Sequence, residues 1–202
     1  MKIICIGRNY VKHIHELNNA IPDEPVFFLK PDTSLLPAGQ PFFLPDFSKQ
    51  IHHEIELVLR ISKEGKNIEE KFAHRYFDSI SVGVDFTARD IQDRQKSAGL
   101  PWEPAKAFDH SAPVGSFCPV AGGELKNFDF HLERNGKTVQ TGSSSLMIHN
   151  FAKVISYVSK FITLRKGDLV FTGTPEGVGP VEPGDELSGF LGEKKLLQLS
   201  IR

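Results

Sequence analysis

Hydrophobic and polar residues along this chain follow the two-residue period of β-strands more often than the 3.6-residue period of helices. Ile51 to Ile61 alternates, with Ile55, Leu57, Leu59 and Ile61 on one face and Glu54, Glu56, Val58 and Arg60 on the other, because side chains in a strand repeat every two residues. Ile80 to Phe86 alternates in the same way, setting Ile80, Val82, Val84 and Phe86 opposite Ser81, Gly83 and Asp85. Lys2 to Ile6 reads as a short strand broken by Gly7-Arg8-Asn9. Val26 to Leu29 and Pro41 to Leu44 read as further short strands in a proline-rich stretch that excludes a long helix. Phe128 to Thr141 predicts a hairpin, since Asn135-Gly136 tolerates the positive φ of a tight turn.

Helices are predicted in three places. Asn9 is placed to cap one running to about Leu17, and Thr87-Ala88-Arg89-Asp90 resembles a capping box opening a second that stops near Gly99. Ser143 to Ser145 offer caps for a third, to about Phe161, with Met147, Phe151, Val154, Ile155, Val158 and Ile162 on one stripe suited to the sheet or to a dimer face. No repeat or linker interrupts the pattern. The expectation is a single α+β domain over 1–202 dominated by a mixed sheet.

Composition narrows the function classes. The 202 residues carry 24 Lys+Arg against 25 Asp+Glu, which argues against a nucleic-acid binder driven by bulk charge. At 40% hydrophobic and 24% charged the chain should fold. Two cysteines, Cys5 and Cys118, are too few for a disulfide framework or a structural zinc cluster. With no signal segment or membrane-length apolar run in view, the expectation is a cytoplasmic protein.

Candidate chemistry begins with acids. Glu54 and Glu56 point the same way from one strand and Asp85 lies on the polar face of another. If those strands meet, three like charges converge, an arrangement that calls for a cation, and hard oxygen ligands suit Mg²⁺, Mn²⁺ or Ca²⁺. Alternating acids on a half-exposed strand are ordinarily a solvated face, so the pattern alone is weak. His13 and Glu16, spaced i, i+3, share one side of a helix, where the carboxylate can orient the imidazole as a general base; a surface pair is the plainer alternative. Lys106 sits in the rigid, aromatic Pro101-Trp102-Glu103-Pro104-Ala105-Lys106, and the Gly173 to Gly179 loop offers backbone N–H groups and the Thr174 hydroxyl to a carboxylate.

Taken together, Gly7-Arg8-Asn9-Tyr10 with His13 and Glu16, Phe28-Leu29-Lys30-Pro31, His53-Glu54-Ile55-Glu56-Leu57, Asp85 with Thr87-Ala88-Arg89-Asp90, Lys106, and Thr172 to Gly179 resemble the fumarylacetoacetate hydrolase family, especially its small acylpyruvase-type members. The resemblance implies a mixed β-roll with flanking helices, usually a homodimer, and a lid-like helix within residues 1–22. It implies a divalent metal, Mg²⁺ or Mn²⁺, held by Glu54, Glu56 and Asp85. His13 and Glu16 would form a water-activating dyad with Lys106 as a third catalytic residue, and Arg8, Arg89, Gln92 and Thr174 would hold a small 2-oxo acid. Neither Asp32 nor Asp46 is a clear counterpart of the fourth carboxylate of fumarylacetoacetase itself.

The reaction implied is hydrolysis of a carbon–carbon bond in acylpyruvates (2,4-dioxo acids) to release pyruvate. Oxaloacetate decarboxylation or tautomerisation, and isomerisation of an unsaturated 2-oxo dioate, draw on the same electron sink and stay open. So does a non-catalytic ligand-binding role, against which the intact set of acids and dyad argues.

Overall fold

Apolar residues on both faces of the central strands decide the architecture. In chain order the described residues, 1–16, 20–120 and 127–202, form β1 (Ile3–Gly7), α1 (Val11–Glu16), β2 (Val26–Lys30), β3 (Ile51–His53), β4 (Ile55–Ile61), β5 (Phe77–Val84), β6 (Thr87–Ala88), α2 (Arg89–Ala98), α3 (Glu103–Lys106), β7 (Cys118–Pro119), β8 (Asp129–Arg134), β9 (Lys137–Ser143), α4 (Phe151–Phe161), β10 (Leu169–Phe171), β11 (Gly179–Pro180), β12 (Glu186–Leu191) and β13 (Lys194–Ser200). In this computed structural model they assemble into a six-stranded sheet ordered β2-β1-β10-β4-β5-β7, a four-stranded sheet ordered β13-β12-β8-β9 and a small sheet ordered β11-β3-β6. β1 and β10 run parallel and their neighbours antiparallel, so the large sheet is mixed, as expected of this α+β chain.

Ile55, Leu57, Leu59 and Ile61 of β4 and Ile80, Val82 and Val84 of β5 pack with Phe130, Leu132, Leu187, Leu197 and Leu199 of the four-stranded sheet. On the opposite face Ile3, Cys5, Val58, Leu169 and Phe171 close a second cluster with Ala112. Burial of each large aliphatic side chain contributes about 1.5–3 kcal/mol. The face of β4 that alternation marks as polar is therefore interior: Val58 is buried and only Arg60 of that strand is exposed.

The sheets join at one level, and that seam positions the site. β4 and β5 pair in the large sheet as far as Ile55 opposite Val84, and beyond it β3 and β6 pair in the small one, with Ile51 opposite Ala88 and His52 opposite Thr87. Glu54 and Asp85 are the residues at the crossing, bridged by a backbone hydrogen bond from Asp85 N to Glu54 O of 2.8 Å. The neighbouring chain crosses as well: β10 pairs with β4, β11 pairs with β3, and Gly173 and Thr174 lie on the link between them. Strands that switch sheets must bend. Hence Ile51 to Ile61 is two strands broken at Glu54 rather than the single strand its alternation predicts.

Other local expectations hold or shift for identifiable reasons. The Asn135-Gly136 turn has φ of +54° and +74°, as a two-residue hairpin requires, and α2 ends at Gly99 with φ +64°. Asn9 does not cap α1. Its amide donates to the carbonyls of His149 and Thr172 and its Oδ1 accepts from His149 N, pinning the turn to two other segments. The predicted end of that helix at Leu17 falls outside the described residues. The capping box at 87–90 is absent as well, because the Thr87 hydroxyl is taken by Lys106. Pro41 to Leu44 forms no strand beyond an isolated bridge from Phe42 to Ile201. Both cysteines are free thiols, and among the described residues no helix is long and apolar enough to cross a membrane.

α4 begins later than predicted. Ser144–Leu146 form a 3₁₀ turn, and the cap is Asn150, whose Oδ1 accepts from Lys153 N at 2.9 Å. Its stripe of Phe151, Val154, Ile155 and Val158 faces the core, which leaves that stripe no part in a dimer face. Asn150→Ala is expected to lower stability by about 1 kcal/mol in urea denaturation, whereas Ser145→Ala should change it by less than about 0.5 kcal/mol; the reverse order would place the cap at the serines.

Candidate active site

Three buried carboxylates meet at the seam. Glu54, Glu56 and Asp85 each offer an oxygen within 4.8 Å of the others, and all three are at least 95% buried. Glu54 and Asp85 come from the crossing points, and Glu56 is the second residue of β4. A cavity over them is lined also by Arg8, His13, Arg89, Gln92, Lys106 and Thr174, together with Phe28, Lys96 and Trp102. Every candidate named from the sequence therefore reaches one place. Glu16 joins through His13, whose Nδ1 lies 3.0 Å from Glu16 Oε2.

The acids are not equivalent. Lys106, on the one-turn helix α3, donates to Glu54 Oε2 and Asp85 Oδ2, each at 2.7 Å, and to Thr87 Oγ1 at 2.6 Å. Arg89, the first residue of α2, donates to Glu54 Oε1 and to Gln92 Oε1. Lys30 Nζ, at the end of β2, lies 2.6 Å from Asp85 Oδ1 and donates to the Ser111 carbonyl and hydroxyl. Among the described residues Glu56 pairs with no cation, and its Oε2 accepts the Gly173 N–H at 2.6 Å.

These surroundings set the protonation states. Burial pushes the Glu54 carboxyl upward, but Lys106 and Arg89 outweigh it and hold Glu54 well below the ordinary carboxylate range. Glu56 is raised well above that range, first by burial and next by the Asp85 charge, which the Gly173 hydrogen bond only partly offsets. Burial would lower the Lys106 ammonium, yet Asp85 and Glu54 raise it. Lys106 is thus a fixed cation, suited to stabilising charge and unsuited to acting as a base.

The donor set fits a divalent metal. Three hard oxygens from two distant stretches of chain converge, and the carboxyl that no cation touches among the described residues is the one that burial, and next the Asp85 charge, raise above the ordinary range. Glu54, Glu56 and Asp85 would hold the ion.

The loop after β10 supports the acids and the dyad. Gly173 has φ +103°, and a Cβ there would come within 2.7 Å of Asn9 Cβ, so only glycine brings this N–H to Glu56. Gly177 N donates to Glu16 Oε1 at 3.1 Å while Lys12 pairs with Glu176 at 3.2 Å, tying α1 to the same loop. Thr174 Oγ1 accepts from Gln140 Nε2 at 2.9 Å, and Gln140 Oε1 accepts from Ile55 N at 3.0 Å, which clamps the loop to the strand carrying Glu56.

Sequence reasoning assigned no role to Lys30, Lys96, Trp102 or Phe28. Lys30 had a visible signal, a lysine ending an apolar strand just before a proline; the remaining three reach the cavity only through packing. Glu56→Gln is expected to weaken Mg²⁺ binding by at least about tenfold in isothermal titration calorimetry. Because the ion must displace the Glu56 proton, wild-type affinity should climb as pH rises above the ordinary carboxylate range, with protons released to the buffer. Unchanged affinity in the variant, or an affinity that does not depend on pH, would contradict this account.

Residues 2–198 match the family model described as the fumarylacetoacetate hydrolase C-terminal domain. The chain is 44% identical to the oxaloacetate tautomerase YcgM of Escherichia coli, over 93% of this chain and 86% of that protein. It is 40% identical to the mitochondrial oxaloacetate decarboxylase of Dictyostelium discoideum, over 99% and 93%. The crystal structure of fumarylpyruvate hydrolase from Pseudomonas aeruginosa, in complex with Mn²⁺ and pyruvate, superposes with a TM-score of 0.92 at 38% identity, covering 100% of this chain and 89% of that one. Agreement of this extent in both sequence and backbone has one explanation: the chain belongs to the fumarylacetoacetate hydrolase family of enzymes.

Proposed function

We propose that this enzyme uses Mg²⁺, or Mn²⁺ in its place, to act on enolisable 2-oxo acids, cleaving acylpyruvates to pyruvate and interconverting the keto and enol forms of oxaloacetate in the same cavity. The observation that carries this reading is the His13–Glu16 pair, in hydrogen-bond contact at the cavity that holds the three acids. A divalent cation bound there supplies Lewis-acid charge that favours enolate character at a 2-oxo oxygen.

The remaining work falls to the chain's own groups. Glu16, itself held by Gly177 N–H, fixes Nδ1 of His13 and leaves Nε2 free to take a proton, from water in the hydrolysis or from the carbon beside the carbonyl in the tautomerisation. Lys106 keeps a full positive charge beside the acids and offsets negative charge arriving on the substrate. Phe28 and Trp102, with ring centroids 5.9 Å apart, form an aromatic wall of the cavity. The Pseudomonas fumarylpyruvate hydrolase supports the acylpyruvate reaction, and the Escherichia coli tautomerase supports oxaloacetate. Decarboxylation of oxaloacetate, suggested by the Dictyostelium relative, needs no base and would run beside these reactions. Within this reading the protein works as a homodimer in the cytoplasm; exposed Phe43, Phe47 and Phe161 supply apolar surface for the former, and free thiols suit a reducing compartment.

The deciding experiment measures pyruvate release from acetylpyruvate and enol loss from oxaloacetate, with Mg²⁺ and after EDTA. Both rates should depend on the metal; absent turnover of both substrates would favour binding over catalysis, and turnover unchanged by EDTA would refute the metal assignment. His13→Ala should lower both by about 10²- to 10⁴-fold while sparing much of the oxaloacetate decarboxylation. Equal loss of all three activities would refute this division of roles.

A further inference from the structure

Four cationic side chains, Arg8, Arg89, Lys96 and Lys106, line the cavity with the three acids. Two of them are committed. Lys106 is spent on Glu54, Asp85 and Thr87, and Arg89 on Glu54 and Gln92. Arg8 and Lys96 form no ion pair within 4.0 Å among the described residues, and Arg8 Nε is buried without a hydrogen-bond partner.

Both reach the cavity from backbone positions that the fold fixes. Arg8 has φ +58°, a left-handed conformation that side-chain-bearing residues rarely adopt. The turn is held there by Asn9, locked to His149 and Thr172. Lys96 follows Arg89 and Gln92 at i+7 and i+4, so α2 presents all three on one face toward the cavity. Arg8, Arg89 and Lys96 line the same cavity, and burial first, then the fields of Arg89 and Arg8, lower the Lys96 ammonium from its ordinary value.

Charge balance asks for a second anion. Once a divalent ion sits on the three acids, the lining carries three more positive charges than negative ones. A 2-oxo monocarboxylate cancels only one of them.

We propose that Arg8 and Lys96 form a carboxylate subsite for the far end of the substrate, so that the enzyme selects 2-oxo dicarboxylates over 2-oxo monocarboxylates. This deepens the 2-oxo acid reading and rests on it. Lys96 is half-buried at the cavity rim, so its replacement is compatible with folding.

The test compares oxaloacetate tautomerisation with acetylpyruvate cleavage in wild type, Lys96→Gln and Lys96→Arg. Loss of one charge-assisted hydrogen bond should lower the ratio of kcat/KM, dicarboxylate over monocarboxylate, by about ten- to hundredfold, mainly through KM, and Lys96→Arg should restore most of it. A ratio that does not move, or a parallel fall on both substrates, overturns the subsite while leaving the proposed reactions standing. Binding separates the two claims. With Mg²⁺ present, calorimetry should show 2-oxoglutarate binding more tightly than pyruvate in wild type and losing that advantage in Lys96→Gln. If this holds while no 2-oxo acid is turned over, the subsite survives and the reaction assignment falls; equal wild-type affinities overturn the subsite.

Discussion

The structure is organised around the cost of burying three carboxylates side by side. In a medium less polar than water, like charges at this spacing repel strongly and each loses hydration worth several kcal/mol. The chain answers in two ways. Lys106, Lys30 and Arg89 neutralise Glu54 and Asp85 directly, while Glu56, which pairs with no cation among the described residues, is raised by burial and then by the Asp85 charge. What results is a trio of oxygens in which two are neutralised and one is raised, the arrangement the proposed metal would relieve.

Placing these groups requires the seam between sheets. A continuous strand would send alternate side chains to opposite faces at fixed spacing, and nothing in a regular ladder brings acids from two strands and a lysine from a third element to one point. Breaking the pair β4/β5 from the pair β3/β6 at Glu54 and Asp85, with the 173–174 link crossing at the same level, opens the ladder where the acids sit. Hydrogen bonds freed by the break are reused: Gly173 N turns to Glu56, and Gln140 reaches from β9 to satisfy Ile55 N.

The dyad depends on the same scaffold from the other side. α1 has only six residues, too few for stability on its own, and it is held by buried Ile14, by the Tyr10–Met147 bridge and by Gly177 and Glu176 of the glycine-rich loop. One loop therefore orients a metal-ligand candidate through Gly173 and, through Gly177 and Glu16, the proposed base His13. Chemistry on a 2-oxo acid needs these two groups in register, and a shared loop couples them more tightly than separate supports would.

Much of this was legible in the residues. Period-two alternation located β4 and β5, Asn135-Gly136 located the hairpin, and the separated motifs in order carried the family and the candidate residues, because strand period, turn geometry and reactive side-chain type are local properties written in adjacent positions. Capping was read less well, since Asn9, Thr87 and Ser145 are chemically able to cap a helix and only their three-dimensional neighbours decide otherwise. The break at Glu54, the burial of the acidic face of β4, Lys30 beside Asp85, and Arg8 and Lys96 sharing one cavity were decided by the tertiary structure alone. Each is a meeting of residues tens of positions apart, and which charges end up enclosed together follows from how the sheets cross.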